Sequence, residues 1–255
     1  MELKQSKLAE LVARLKEAAH QNLEAVILYG SAARGEHREG SSDLNILCVL
    51  HSLSADELGR IAPVIAWWVN DQKESAPKLF SAKELRHSAD VFAIEMTDLQ
   101  RERRVLYGQD VIAALEVPMS LHRVQVEREL RTALLKLREI FVLSRGDAEE
   151  LRTVMAKSIS TVRALARHTL MALGERPLGS GEVFAQVAAK TGADAAAFEA
   201  VLDLRNRGRA TVERSAMVGT YGAYLKALEA VIDSLDRHPK AEWRRAGTLE
   251  FGGHR

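Results

Sequence analysis

Residues 28–50 read L-Y-G-S-A-A-R-G-E-H-R-E-G-S-S-D-L-N-I-L-C-V-L, and the reading of this stretch decides the fold. It leaves one apolar run through Gly30 and Ser31, passes Gly35, and enters a second apolar run through Ser42, Asp43, Leu44 and Asn45. A glycine at the start of a turn lets backbone amides come close to a phosphate, and a serine hydroxyl adds a donor. Alternate residues of a strand point to the same face, so Asp43 and Asn45 are expected side by side on an otherwise apolar strand. Two oxygen-bearing side chains in that arrangement suit Mg²⁺, which takes oxygen ligands and shares itself with substrate phosphates.

Working outward, the run 25–29 predicts a buried strand ending at Gly30, and 44–50 predicts a second. Leu8, Leu11, Val12 and Leu15 recur at helical spacing, which places a helix over the opening residues. Ser54-Ala55-Asp56-Glu57 and Ser81-Ala82-Lys83-Glu84 have the capping-box pattern, the first opening a helix that carries Ile61, Ile65, Trp68 and Val69. Between them lies the short apolar piece Lys78-Leu79-Phe80. Residues 90–99, D-V-F-A-I-E-M-T-D-L, predict a third strand, and residues 105–108 a further short strand or turn. Glu95 interrupts the apolar run of that third strand. A charge in a central strand is costly unless it faces a cleft, a metal or solvent, so Glu95 is the candidate third carboxylate. An edge strand with Glu95 facing water is the other reading.

After Pro118 the character changes. Residues 121–237 are helical in period and rich in Ala, Leu, Arg and Glu, with breaks at Arg145-Gly146-Asp147 and around residues 174–181. The expected organisation is an α/β domain over 1–117, a mixed sheet with helices, then an all-α helical bundle over 118–240 and a loosely attached tail over 241–255. The chain has 255 residues, is 47% hydrophobic and 28% charged, and carries a net charge of +1. That composition supports a sizeable core and offers no global steering toward nucleic acid or an acidic membrane. Cys48 is the only cysteine, and no segment has the uninterrupted apolar core of a signal peptide or the length of a membrane span, which fits a cytoplasmic protein.

Gly30-Ser31, Gly35 and Ser42-Asp43-Leu44-Asn45 resemble the G-S-x-x-x-G…S-D-x-D signature of the polymerase-β-like nucleotidyltransferase superfamily. An α/β domain followed by a helical one further resembles the aminoglycoside nucleotidyltransferases. The resemblance implies a triphosphate held at the turn by Gly30 and Ser31; Arg34, in the loop between the turn and Asp43, could also meet phosphate, although loops of this kind are usually solvated. The resemblance implies Mg²⁺ held by Asp43, Asn45 and Glu95, with Asp43 the first ligand and Glu95 the base acting on an acceptor hydroxyl. The substrates implied are an NTP, ATP in the first place, and a small-molecule or protein acceptor, bound in a cleft between the two domains. Asn45 departs from the pattern, because the family has its second Asp there. An amide oxygen still coordinates a cation but brings no charge. Two functions follow from the same residues: Mg²⁺-dependent transfer of a nucleoside monophosphate, or a protein of this fold that is catalytically weak or inactive and serves as a nucleotide-binding or protein-interaction module.

The remaining polar features have ordinary explanations. His37 and Arg38 lie in the loop before Asp43, and Lys157 and Arg163 share a helical face, all fitting solvated surface. The clusters Arg101, Arg103, Arg104 and Arg205, Arg207, Arg209 lack the interleaved aromatics of a nucleic-acid surface. At least one of Trp67 and Trp68 is expected in the core, and Cys48 is expected as a small buried hydrophobe.

Overall fold

The two apolar runs of the opening stretch form adjacent antiparallel strands in the computed structural model, which describes residues 2–33, 44–177, 179, 181–207 and 213–237. β1 is Leu23–Tyr29 and β2 is Asn45–Leu50; Leu28 lies opposite Ile46 and Tyr29 opposite Asn45. β3, Lys78–Ser81, adds to β2 in parallel, and β4, Arg103–Gly108, adds to the other side of β1 antiparallel. The order is β3-β2-β1-β4, a mixed four-stranded sheet.

Both faces of the sheet are covered, which is why β1 and β2 read as continuous apolar runs and not as alternating ones. α1, Glu2–Ala19, and α2, Ala55–Asn70, cover one face, where Leu11, Leu15, Ile61 and Trp68 pack with Val26, Leu28, Ile46 and Cys48. α3, Ala82–His87, and α4, Ala93–Arg101, cover the other, where Leu85, Met96 and Leu99 pack with Ala25, Ile27, Leu47 and Val49. Ser81 and Glu84 close a full capping box on α3. At α2, Ser54 caps Glu57 N–H, but Glu57 turns to Arg60 instead of back to the cap.

The strand expected over 90–99 is corrected to a helix. α4 buries Ala93, Met96 and Leu99 three residues apart, a helical repeat, and Glu95 sits in its first turn. The sequence is built of good helix formers (Ala, Glu, Met, Leu, Gln, Arg), which outweigh the short apolar look of its start.

The chain divides into two compact units, Met1–His122 and Arg123–Arg255. The second contains α5, His122–Leu143, from its second residue onward; α6, Ala148–Ala172; α7, Val183–Thr191; α8, Ala195–Arg207; and α9, Arg214–Arg237. The breaks expected at Arg145-Gly146 and around 174–181 fall between α5, α6 and α7, with Gly146 and Gly174 in the left-handed region. A further break at Gly192, which ends α7 at φ 75°, has only a single glycine to announce it. α6 packs against α7, α8 and α9, and its core includes a stacked Phe184–Phe198 pair at 4.7 Å and a Ser158–Tyr224 hydrogen bond of 3.0 Å. Among the described residues no helix is long and apolar enough to cross a membrane. The tail over 241–255 lies outside the described residues, as do Arg34, Gly35, His37, Arg38, Asp43 and Arg209.

Candidate functional site

β1 ends at Tyr29, and the chain turns at once through a single 3-10 turn, Gly30–Ala32. Gly30 has φ 74°, a left-handed conformation that a side chain would strain. Its N–H donates to the Glu102 carbonyl (3.3 Å), and its carbonyl accepts from Ala33 N–H (3.0 Å), so the turn is braced by the residue just before β4. A Cβ on Gly30 would lie 3.2 Å from Nδ2 of Asn45. The half-buried Asn45 amide thus packs directly on the turn, and the glycine makes that approach possible.

Asn45, Leu47 and Val49 point to the α3–α4 face, as do Ile27 and Tyr29. Lys78 lies opposite Leu47, and its position beside Phe80 puts it on that face too. Its Nζ stands 6.0 Å from the centre of the Tyr29 ring. Glu95 reaches the same corner from α4. Burial first, and the Glu95 charge second, push the Tyr29 phenol up to about 12. At the end of β1, where the turn begins, Tyr29 thus lies opposite Asn45 in the sheet, has the Lys78 ammonium 6.0 Å from its ring, and feels the Glu95 charge.

Of the expected site residues, the structure packs Asn45 on the Gly30 turn and places Glu95 in the first turn of α4, where its charge acts on Tyr29. Ser31 is in the turn; Arg34 and Asp43 fall outside the described residues. Among the described residues no three His, Cys, Asp or Glu side chains cluster so as to hold a metal. The donors that the corner does offer, the Asn45 amide oxygen and the Glu95 carboxylate, are hard oxygens of the kind Mg²⁺ takes.

Two polar residues of this region escaped the sequence reading. Lys78 was visible only as the first residue of a short apolar piece, and strand alternation from Phe80 is the signal that would have placed it. Glu74 had no local signal, because its partners are distant in sequence: its carboxylate accepts from Leu44 N–H at 2.9 Å and lies 3.5 Å from Lys7 Nζ.

Other expected features take structural roles. Trp68 is fully buried and donates to the Ser75 carbonyl, while Trp67 carries Arg14 over its ring at 4.2 Å. Burial pushes the Cys48 thiol up to about 12, which leaves it an inert core group. Arg103 is held by Asp110 at 2.8 Å. An open cavity of about 780 Å³ lies at the opposite end of β1, lined by His20, Leu23, Arg60 and Tyr107. It is remote from Gly30 and Asn45 and is set aside as the site.

One similar solved structure is spectinomycin adenyltransferase AAD(9) from Enterococcus faecialis with ATP and spectinomycin: 13% identity, 89% of this chain and 99% of that chain covered, TM-score 0.49. Another is a toxin-antitoxin with AMP-PNP: 15% identity, 48% of this chain and 92% of that chain covered, TM-score 0.32. No family model matches the chain. No curated protein matches it either.

Proposed function

We propose that the chain is a nucleotidyltransferase that moves a nucleoside monophosphate from an NTP, ATP in the first place, to a hydroxyl of a small-molecule or protein acceptor. The observation that carries this reading is the Asn45 amide packed on the Gly30 turn at the end of β1, with the Glu95 charge acting on the neighbouring Tyr29. The turn offers backbone amides to phosphate, and Ser31 adds a hydroxyl. Lys78 presents a cation to the same corner, and Arg34 is proposed as a further one. Glu95, exposed and beside Tyr29, takes the proton of the acceptor hydroxyl. The acceptor oxygen bonds to the α-phosphorus as the bond to the bridging oxygen breaks, and pyrophosphate leaves. Asp43, Asn45 and Glu95 are the residues proposed to hold Mg²⁺, which when bound would neutralise charge on the phosphates. Positioning and charge neutralisation supply the rest of the rate.

Asn45 itself favours a second reading. With one carboxylate fewer than the signature has, the same corner would bind nucleotide and turn it over slowly or not at all. Calorimetry with ATP, with and without Mg²⁺, together with a pyrophosphate-release assay over a panel of hydroxyl acceptors, separates the two. Metal-dependent binding with pyrophosphate release that is lost in Glu95→Gln supports transfer. Binding without release supports the second reading, and no binding removes both.

A further inference from the structure

Among the described residues, β3 pairs with β2 only from Leu47 onward, so the first residues of β2 have no strand partner on that side. The loop over 71–77, which leads into β3, fills the gap. It is tied to buried Trp68: Glu74 N–H donates to the Trp68 carbonyl at 3.3 Å, and the Trp68 indole donates to the Ser75 carbonyl at 3.1 Å. From this anchored loop the Glu74 carboxylate accepts from Leu44 N–H at 2.9 Å and faces Lys7 Nζ of α1 at 3.5 Å. Lys7 also donates to the Gln72 carbonyl at 3.3 Å, and the Glu74 side chain is only 12% exposed. A charge-assisted bond at a half-dry site is stronger than a neutral one and holds its partner more tightly. Its partner here is the backbone of the residue that precedes Asn45.

We infer that Glu74 is a positioning residue for the Gly30 turn and the Asn45 amide packed on it. It fixes the backbone at Leu44, and through it the height at which the Asn45 amide meets the turn. The catalytic part of this inference rests on the proposed transfer reaction; the positioning part does not. The carboxylate does not touch substrate. It acts by setting where a neighbour stands, as outer hydrogen bonds do for metal ligands.

The test compares Glu74→Gln and Glu74→Ala in the full chain, with Mg²⁺ and ATP as the probes. Gln keeps an oxygen that can accept from Leu44 N–H, whereas Ala removes it. Glu74→Ala is expected to speed hydrogen exchange of the Leu44 amide, lower kcat about tenfold or more, and raise the Mg²⁺ half-saturation, with KM for ATP nearly unchanged. Glu74→Gln is expected to keep most of the Leu44 protection and of kcat. If Glu74→Ala only lowers the melting temperature, with the Leu44 amide, kcat and Mg²⁺ dependence as in the parent, the inference is overturned. It is also overturned if Gln behaves as Ala does. Should Glu74→Ala fail to fold, Glu74→Met, which keeps the bulk of the side chain without an accepting oxygen, is read in its place by the same readouts and the same criteria. If the parent chain neither binds nor turns over ATP, the transfer reading fails, while the Leu44 exchange arm still decides whether Glu74 holds this strand.

Discussion

Asn45 carries two consequences that pull in different directions. Its carboxamide is small enough to pack against Gly30, with Nδ2 3.2 Å from where a Cβ would be, and it is neutral. As a metal ligand it is poorer than a carboxylate, because affinity for a hard cation rises with the charge of its ligands. Asn45→Asp is isosteric and restores the missing charge. It is expected to tighten Mg²⁺ binding on the order of tenfold and to raise nucleotidyl transfer with it. A Mg²⁺ titration of pyrophosphate release, parent against variant, checks this; equal half-saturation and equal rate would show that charge at position 45 is not the limiting feature. At this scale the sequence was legible where a residue's role depends on its neighbours in the chain. The turn at Gly30 and the strand entered at Asn45 could be read from one short stretch, and Cys48 and at least one of Trp67 and Trp68 expected in the core from the apolar runs around them. Glu74 and Lys78 were not legible, since one acts on a strand thirty residues away and the other through sheet register.

Among the elements, α4 shows why a short apolar run misleads. V-F-A-I-E-M fits a buried strand and a helix equally well in a single pass, and periodicity cannot separate the two over so few residues. The capping boxes were a firmer guide, because Ser81 and Glu84 satisfy two helix-end donors by a local rule that no tertiary contact needs to complete. Glu95 sits in the first turn of this helix, and its charge acts on Tyr29 at the end of β1. Strand β4 is set by a contact of a different kind. Gly108 has φ 77°, and a Cβ on it would fall 1.9 Å from the Glu24 carbonyl oxygen, so β4 can close on β1 at Ala25 only with a glycine. Gly192 has a nearly identical φ of 75° but open space around it. Gly192→Ala is expected to lose about 1–2 kcal/mol from the left-handed backbone alone. Gly108→Ala is expected to lose that and more, since backbone must move to admit the methyl group. Urea unfolding of both variants measures the difference; equal losses would mean that the β1–β4 approach is not tight.

Across the whole molecule, four buried or half-buried acids keep their protons more firmly folded than unfolded. Burial pushes Cys48 from 9.0 up to about 12, and Tyr221 from 10.0 up to about 12. Tyr29 rises to about 12 by burial and then by the Glu95 charge; Tyr224 rises further by burial, partly offset by its bond to Ser158. Below pH 9 all four are protonated in both states, and the folded state keeps the whole of this advantage. Above it the unfolded chain releases protons first, from Cys48 and then from the tyrosines, while the folded chain holds them. The unfolded state then binds fewer protons, so stability falls as pH rises, from about 9 until the folded groups themselves titrate near 12. The loss reaches both units, because Tyr29 and Cys48 belong to the sheet unit and Tyr221 and Tyr224 to the helical one. Melting temperatures taken in steps from pH 8 to pH 11 are expected to decline from pH 9 onward. In Cys48→Ala the start of the decline is expected to move toward pH 10, where the tyrosines alone govern it. A melting temperature that stays level through pH 11 would mean that these side chains meet water in the folded protein, and that the two cores are not closed around them.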